Sequence, residues 1–309
     1  AGVRPETSLA AAAGVALGVT GGIRVNERMQ TNLPDVYACG DCIEHWHAVT
    51  GKPVWRPLGS TANKTGRIAG DSLTGGDLTF RGVLGTGIFG VFGLTVAQTG
   101  LTEREAREQG MDVVVCHNIK PDKPAYMHGR EMIIKAIADR ATGRVLGAQI
   151  VGFAGVDKRI DVLATAITFG ATAGDLFHLD LAYAPPYSTT KDPVAYTGMI
   201  LENALHRGRP LMTAEALDAR LAGGDKVQVI DARSAAQYAK SHLETAQSIP
   251  LENLRAQADQ LDRDAVTVTY CNKGTTGNAA QNLLLGKGFR QVYNLSGGEK
   301  QFRAMRRKP

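Results

Sequence analysis

A chain of 309 residues with 43% hydrophobic and 21% charged residues is globular in composition and is not disordered, collagen-like or a coiled coil. No apolar run reaches the roughly 18 residues of a membrane span, and the Ala/Gly-rich stretch 9–19 is too short, and lacks the basic leader, for a signal peptide. Four cysteines in so long a chain are no disulfide framework, and free thiols point to a reducing, cytoplasmic setting.

In chain order, residues 1–78 alternate short apolar runs with glycine turns. Gly21-Gly22-Ile23-Arg24-Val25 and Val36-Tyr37-Ala38-Cys39 read as strands, the second ending on Gly40-Asp41. Ser60 to Leu73 reads as a helix with a serine cap and an apolar face of Ala62, Ile68, Ala69 and Leu73. From Arg81 to Ala204 the runs lengthen. Met111–Cys116, Glu131–Ala138 and Val145–Val151 are β-branched strand candidates, and Val156–Phe169 is a helix whose face carries Val156, Ile160, Leu163, Ala164 and Ile167. Ala184-Pro185-Pro186-Tyr187 is expected to be extended. His206 to Pro210 reads as a linker, after which Val227–Ile230 and Val266–Tyr270 are buried strands, each followed by helical sequence. The formal net charge is +5, and residues 206–309 hold 16 Lys/Arg against 10 Asp/Glu, with Arg303, Arg306, Arg307 and Lys308 forming a basic tail. No base-reading motif and few aromatics accompany these charges. A solvated tail or an anion-attracting site is therefore expected, and nucleic acid is not.

Three local patterns carry chemistry. Tyr270-Cys271-Asn272-Lys273-Gly274-Thr275-Thr276-Gly277 lies between a strand and a helix over Asn278–Leu285. A turn of small residues there points backbone N–H groups and a helix dipole at the cysteine, which stabilises a thiolate nucleophile, and Lys273 adds a cation. Gly40-Asp41 at a strand end allows close backbone approach and a carboxylate for a ligand hydroxyl. Cys39, Cys42, His45 and His47 are potential metal ligands or, for the cysteines, a redox pair. Their spacing lacks the long loop of zinc sites, so no metal is expected, and strand alternation separates the two thiols, so no redox pair is expected either. Gly85-x-Gly87-x-x-Gly90 has dinucleotide-loop spacing, but a strand-like run follows it where a helix is required.

The last hundred residues resemble a rhodanese domain: Val229-Ile230-Asp231-Ala232-Arg233, Ser241-His242-Leu243, Ser248-Ile249-Pro250-Leu251, the Cys271 loop and Val292–Gly298 follow in that family's order. The resemblance implies a parallel sheet flanked by helices. It also implies a Cys271 persulfide cradled by the amides of Asn272, Gly274, Thr275, Thr276 and Gly277, with Asp231 and Arg233 buttressing the loop. The sixth loop position, often Arg in that family, is Thr276, which leaves anion attraction mainly to Lys273. The preceding two thirds resemble the pyridine nucleotide-disulfide oxidoreductases, and within them coenzyme A-disulfide reductases of the rhodanese-fused, persulfide-reducing subgroup. Asp41-Cys42-Ile43-Glu44, Ala62-Asn63-Lys64-Thr65-Gly66-Arg67, Gly155–Asp161 and Ala182–Ser188 carry that likeness.

The resemblance implies an α/β and α+β chain: residues 1–78 the end of an FAD-binding domain, 79–205 a dimerisation domain, and 206–309 the rhodanese domain. Gly40, Asp41, Ala62 and Asn63 would serve FAD. Tyr187 and Tyr183 would meet substrate at the partner's flavin site in a homodimer, and Lys191 would be a solvated lysine before a coenzyme A phosphate contact. NADH or NADPH and coenzyme A would be substrates of the full-length enzyme. The family's Gly-x-Gly-x-x-Gly loop, redox cysteine helix and NADH domain have no counterpart here, and the chain starts at Ala1. It therefore reads as the rear part of a larger reductase of coenzyme A disulfide, coenzyme A persulfide or polysulfide. Two other readings are a stand-alone sulfurtransferase with a dimerising module and a non-catalytic interaction fragment.

Overall fold

The computed structural model describes residues 2–306 and divides into two compact units, Ala1–Gly87 with Gln98–Gly100, and Ile88–Ala97 with Leu101–Pro309. In the first unit the regular elements are short: α1 (Ser8–Ala12), β1 (His45–Trp46), β2 (Pro53–Val54) and the longer α2 (Gly59–Leu73). Ile23, Met29, Ile43, Ile68, Ala69, Phe80 and Val83 form its core. The strands expected at 21–25 and 36–39 reduce to isolated bridges, Ile23 with Leu17 and Ile43, and Tyr37 with Gln30. Local turns interrupt both runs. Asn26 Oδ1 accepts from the Arg28 and Gln30 amides at 2.9 and 3.0 Å, and Asp35 takes a positive φ of 58° just before Val36. Gly22 is required where the chain passes Ile43–Glu44, since a Cβ there would lie 2.6 Å from the Glu44 nitrogen. The α2 helix forms as expected, but its N-cap is Leu58, without a side-chain cap, and Ser60 lies inside the first turn.

The second unit holds two sheets. The first is five-stranded, order β3-β4-β7-β6-β5, from β3 (Gly87–Val91), β4 (Leu94–Gly100), β5 (Val113–Pro121), β6 (Glu131–Asp139) and β7 (Val145–Gly152), with β5, β6 and β7 antiparallel. Its helices are α3 (Glu103–Glu108), opened by a Thr102/Glu105 capping box, α4 (Val156–Thr168), α5 (Ala173–His178) and α6 (Pro193–His206). The buried face of α4 carries Val156, Ile160, Leu163 and Ile167 as expected, with Ala166 in place of the half-buried Ala164.

That face also buries Arg159, 1% exposed, which is not an apolar position at all. Its Nη2 reaches Asp192 Oδ2 at 2.8 Å, Ser188 Oγ at 3.1 Å and the Asp122 carbonyl at 3.1 Å, while Asp192 Oδ1 caps α6 through the Val194 amide. Ser188 in turn holds the preceding segment. Pro185–Tyr187 is a turn closed by the Tyr187 amide on the Ala184 carbonyl, not the extended run expected, because two prolines also suit turn positions.

The second sheet is parallel throughout, order β10-β9-β11-β12-β8: β8 (Leu211–Met212), β9 (Val227–Asp231), β10 (Ala246–Ser248), β11 (Val266–Tyr270) and β12 (Val292–Leu295). Helices α7 (Ala214–Ala222), α8 (Ala235–Lys240), α9 (Leu251–Gln257), α10 (Thr275–Gly286) and α11 (Gly298–Arg306) accompany it, with an apolar cluster on each face. The chain is thus α+β in its middle and α/β at its end. The expected basic tail is in part this last helix. Arg303 pairs with Glu299 at 2.9 Å and Arg306 with Asp218 at 2.5 Å, whereas Arg307 and Lys308 lie outside the described residues.

Replacing Arg159 by Met leaves the Asp192 carboxylate buried without its cation. The change is expected to cost about 3–5 kcal/mol of stability, read as a lower urea midpoint, and adding Asp192→Asn recovers part of it.

Candidate functional site

The parallel sheet directs β9 and β11 side by side, with Tyr270 opposite Asp231, so the carboxyl ends of both strands meet beneath one loop. Cys271 heads that loop and is 6% exposed. The Gly274 amide points at its sulfur, N to Sγ 3.2 Å. Gly274 takes φ 102° as the N-cap of α10, and that helix has no side-chain cap, so its first amides stay available at the positive end of its dipole. The helix begins at Thr275, three residues before the expected Asn278. An open pocket in front of the thiol is lined by Ala232, Arg233, Ser234, Glu252, Lys273 and Thr276 together with Cys271 and Asn272.

The loop rests on buried charge. Arg233 donates to both Asp231 oxygens, to the Asn272 Oδ1 at 3.0 Å, to the Ser241 carbonyl at 2.6 Å and to Glu299. Burial opposes the Arg233 charge, but the Asp231 and Glu299 carboxylates outweigh it and push its pKa up. Asp231 and Arg233 are brought together as the sequence suggested. Sequence reasoning missed three further supports. Tyr270 donates from its hydroxyl to Asp231 at 2.7 Å and accepts from the Leu243 amide. Glu299 accepts from Ser241 Oγ at 2.7 Å, while its own amide donates to the Cys271 carbonyl at 2.9 Å. Asn294 donates to the Gly274 carbonyl at 3.1 Å. The Gly-Gly pair before Glu299 was the available signal: Gly298 has φ 61°, and a Cβ on it would sit 2.2 Å from the Cys271 carbonyl oxygen.

Lys273 is present at the pocket, but its ammonium is paired with Glu131 of β6, so the loop cation expected to act alone has a carboxylate partner. Two more contacts run from β5, one to this loop and one to the turn after β12. Lys120 Nζ lies 3.3 Å from Thr275 Oγ1, and the His117 amide donates to Ser296 Oγ at 2.7 Å. Lys191 is exposed, with its ammonium 5.1 Å from the centre of the Tyr196 ring.

The remaining candidates lie elsewhere. Tyr183 and Tyr187 are 48% and 73% exposed on and beside the Pro185–Tyr187 turn. In the first unit Gly40, with φ 83°, packs its turn on α2: its amide donates to Thr65 Oγ1 at 3.0 Å and a Cβ would stand 3.8 Å from that of Ala62. Asp41 and Asn63 are exposed beside it, and Trp55 donates to the Asp41 carbonyl at 2.8 Å. The Cys39–His47 cluster does not converge. Cys42 Sγ donates to the Cys39 carbonyl at 3.3 Å, and among the described residues no three His, Cys, Asp or Glu side chains gather as metal ligands.

His117 is buried, and chiefly that burial, with Lys135 adding to it, holds its imidazole down to about 4. The unfolded chain takes up this proton near the usual histidine value and the folded chain only near 4, so stability is lost as pH falls through that window. Between pH 7 and pH 5 the unfolding free energy is expected to drop by about 2 kcal/mol through this group. The drop should be smaller in His117→Asn, measured by urea denaturation at both pH values.

Comparison with known proteins finds three family matches along the chain. The family model for the pyridine nucleotide-disulphide oxidoreductase dimerisation domain matches residues 88–208, that for rhodanese-like domains 213–305, and that for pyridine nucleotide-disulphide oxidoreductases 1–58. A CoA-dependent NAD(P)H sulfur oxidoreductase of Pyrococcus furiosus is 44% identical over 202 residues, 65% of this chain and 46% of that protein. A coenzyme A disulfide reductase of Staphylococcus epidermidis is 32% identical over 200 residues, 64% of this chain and 45% of that protein. Among solved structures, reduced CoADR-RHD of Bacillus anthracis matches with a TM-score of 0.93 at 38% identity, over 97% of this chain and 54% of that one. A NAD-dependent persulfide reductase of A. fulgidus matches with a TM-score of 0.86, also at 38% identity and over 97% and 54% of the two chains. The chain thus spans about half the length of the relatives it matches.

Proposed function

We propose, for a chain that belongs to the pyridine nucleotide-disulphide oxidoreductases and carries a rhodanese-like domain, a part in the flavin-dependent reduction of coenzyme A disulfide, coenzyme A persulfide or polysulfide by NAD(P)H, with Cys271 carrying sulfane sulfur. The observation that carries this reading is the Cys271 loop, whose sulfur accepts an N–H from Gly274 at the uncapped start of α10. An amide there stabilises negative charge on a thiolate and equally on the terminal sulfur of a persulfide. With thiosulfate as donor, the thiolate attacks the outer sulfur and sulfite leaves. Cyanide then takes that sulfur as thiocyanate and restores the thiolate.

Residues 1–78, read as the end of an FAD domain, fit a flavin at one point. The Gly40–Asp41 turn is packed on α2, whose first turn has no side-chain cap, beside the exposed Asp41 carboxylate. Asp41 would accept from a ligand hydroxyl, and the start of α2, with Ala62 and Asn63, would help to hold the flavin. The flavin, when bound, supplies electron transfer from nicotinamide to the sulfur substrate. Residues 79–205 would dimerise. Exposed Tyr183, Tyr187, Phe177 and Leu179 suit a homodimer surface in which the tyrosines meet substrate. Residues 206–309 would be the sulfur-carrying domain, acting on small sulfur compounds. No described helix is long and apolar enough to cross a membrane.

Thiocyanate release from thiosulfate and cyanide is expected in the wild-type protein and should fall to background in Cys271→Ser with the fold retained by circular dichroism. Full activity in that variant removes Cys271 from the chemistry. In parallel, Asp41→Ala is expected to weaken flavin retention, measured by visible absorbance after gel filtration.

A further inference from the structure

We propose that Glu131, the first residue of β6, is a positioning residue that sets which donor charge the Cys271 loop accepts, by holding the loop's cation Lys273. This rests on the reading of Cys271 as the sulfur-carrying nucleophile. Lys273 is the third loop position and lines the pocket in front of Cys271. Its Nζ pairs with Glu131 Oε1, while Glu131 Oε2 takes Lys300 Nζ at 2.6 Å. Lys300 belongs to α11, and its amide donates to the Asn272 carbonyl at 3.2 Å. One carboxylate from the antiparallel sheet thus gathers two cations, on two elements that both border the persulfide loop. Burial pushes the Glu131 carboxyl up, but the hydrogen bonds and charges of Lys273 and Lys300 outweigh it and hold it below the usual glutamate range, so the carboxylate is ionised at neutral pH.

The other charges around the pocket do not replace Lys273. Arg233 is committed to Asp231 and Glu299, and Arg303 also lies on Glu299. Glu252, exposed at the same pocket, adds negative charge. Position 276, where a second cation could stand, is Thr. Glu131 shares its one negative charge between Lys273 and Lys300, so the pocket presents a weakened cation and disfavours multiply charged donors such as thiosulfate relative to low-charge persulfides. Lys273 and Glu131 are each about one third exposed, 34% and 38%, so the stabilising worth of the pair is small and its effect is on the potential at the pocket.

The test is the rate of Cys271 alkylation by anionic iodoacetate relative to neutral iodoacetamide, read on the Cys271 peptide by mass spectrometry. Glu131→Gln is expected to raise that ratio about two- to fourfold at low ionic strength, and the gain should vanish in high salt. Lys273→Met should lower the ratio, and most of the Glu131→Gln gain should disappear in the Lys273→Met background. In turnover, Glu131→Gln should lower KM for thiosulfate with kcat little changed. A purely structural role for Glu131 changes both alkylation rates together and leaves their ratio intact. An unchanged ratio at low salt, or a gain that persists without Lys273, overturns the proposal. Because alkylation needs only a reactive thiol, this result is independent of whether Cys271→Ser abolishes sulfur transfer.

Discussion

The Cys271 loop depends on one buried cation. Arg233 is 5% exposed, and a guanidinium so placed is tolerable only if each of its donors finds an acceptor. It finds them on four separate pieces of chain: the end of β9 (Asp231), the turn after α8 (Ser241), the loop itself (Asn272) and the start of α11 (Glu299). The fork therefore sets the distances among those four pieces. Moving any one of them leaves a guanidinium donor without its acceptor or, at Asp231 and Glu299, breaks an ion pair in the interior. The amide at Gly274 faces the sulfur because the loop that carries it is held from beneath, and because Asn294 and Thr269 hold its helical end through the Gly274 and Gly277 carbonyls.

A similar device recurs in the middle of the chain. Arg159 joins the Asp122, Ser188 and Asp192 segments, and Asp192 passes the constraint on to α6 by capping it. The helix α6 packs against β5, and β5 supplies Lys120 to the Cys271 loop and His117 to the turn after β12. Two charged knots of different domains are in this way joined through one helix and one strand. The exposed Tyr187 sits on the turn that Ser188 anchors and Tyr183 lies just before it, so the same knot that supports α6 also fixes the segment that carries them.

Much of this was legible where the relevant signal is local. Two of the parallel strands, β9 and β11, and the helix over 156–168 follow from patterning along the chain, while the Cys271 loop and its Asp231 and Arg233 support follow from the resemblance to rhodanese domains. The failures share one cause. Glu299, Tyr270, Asn294 and Glu131 act through partners tens to more than a hundred residues away, and periodicity carries no information about such pairs. Arg159 was invisible for a related reason: an apolar face with one arginine looks imperfect until its carboxylate is found 33 residues on. In the first unit the opposite error occurred. Apolar runs at 21–25 and 36–39 have strand composition, but a strand needs a neighbour over several residues, and Asn26 and Asp35 turn the chain before one can form.

Three of the four thiols show why environment, and not residue type, assigns the chemistry. Cys116 is fully buried in β5, where burial pushes its thiol up to about 12 and keeps it protonated and inert. Burial also raises the Cys42 thiol, and its sulfur acts as a donor to the Cys39 carbonyl, the role of a protonated group. At Cys271 the polarity is reversed: the sulfur accepts an amide, at a helix start, above a cation–carboxylate network and beside an open pocket. A group that must carry negative sulfur and exchange it with small molecules needs an acceptor's surroundings and an entrance together. Among the three thiols compared, only Cys271 combines them, and it does so because β9 and β11 end side by side with a charge locked beneath them.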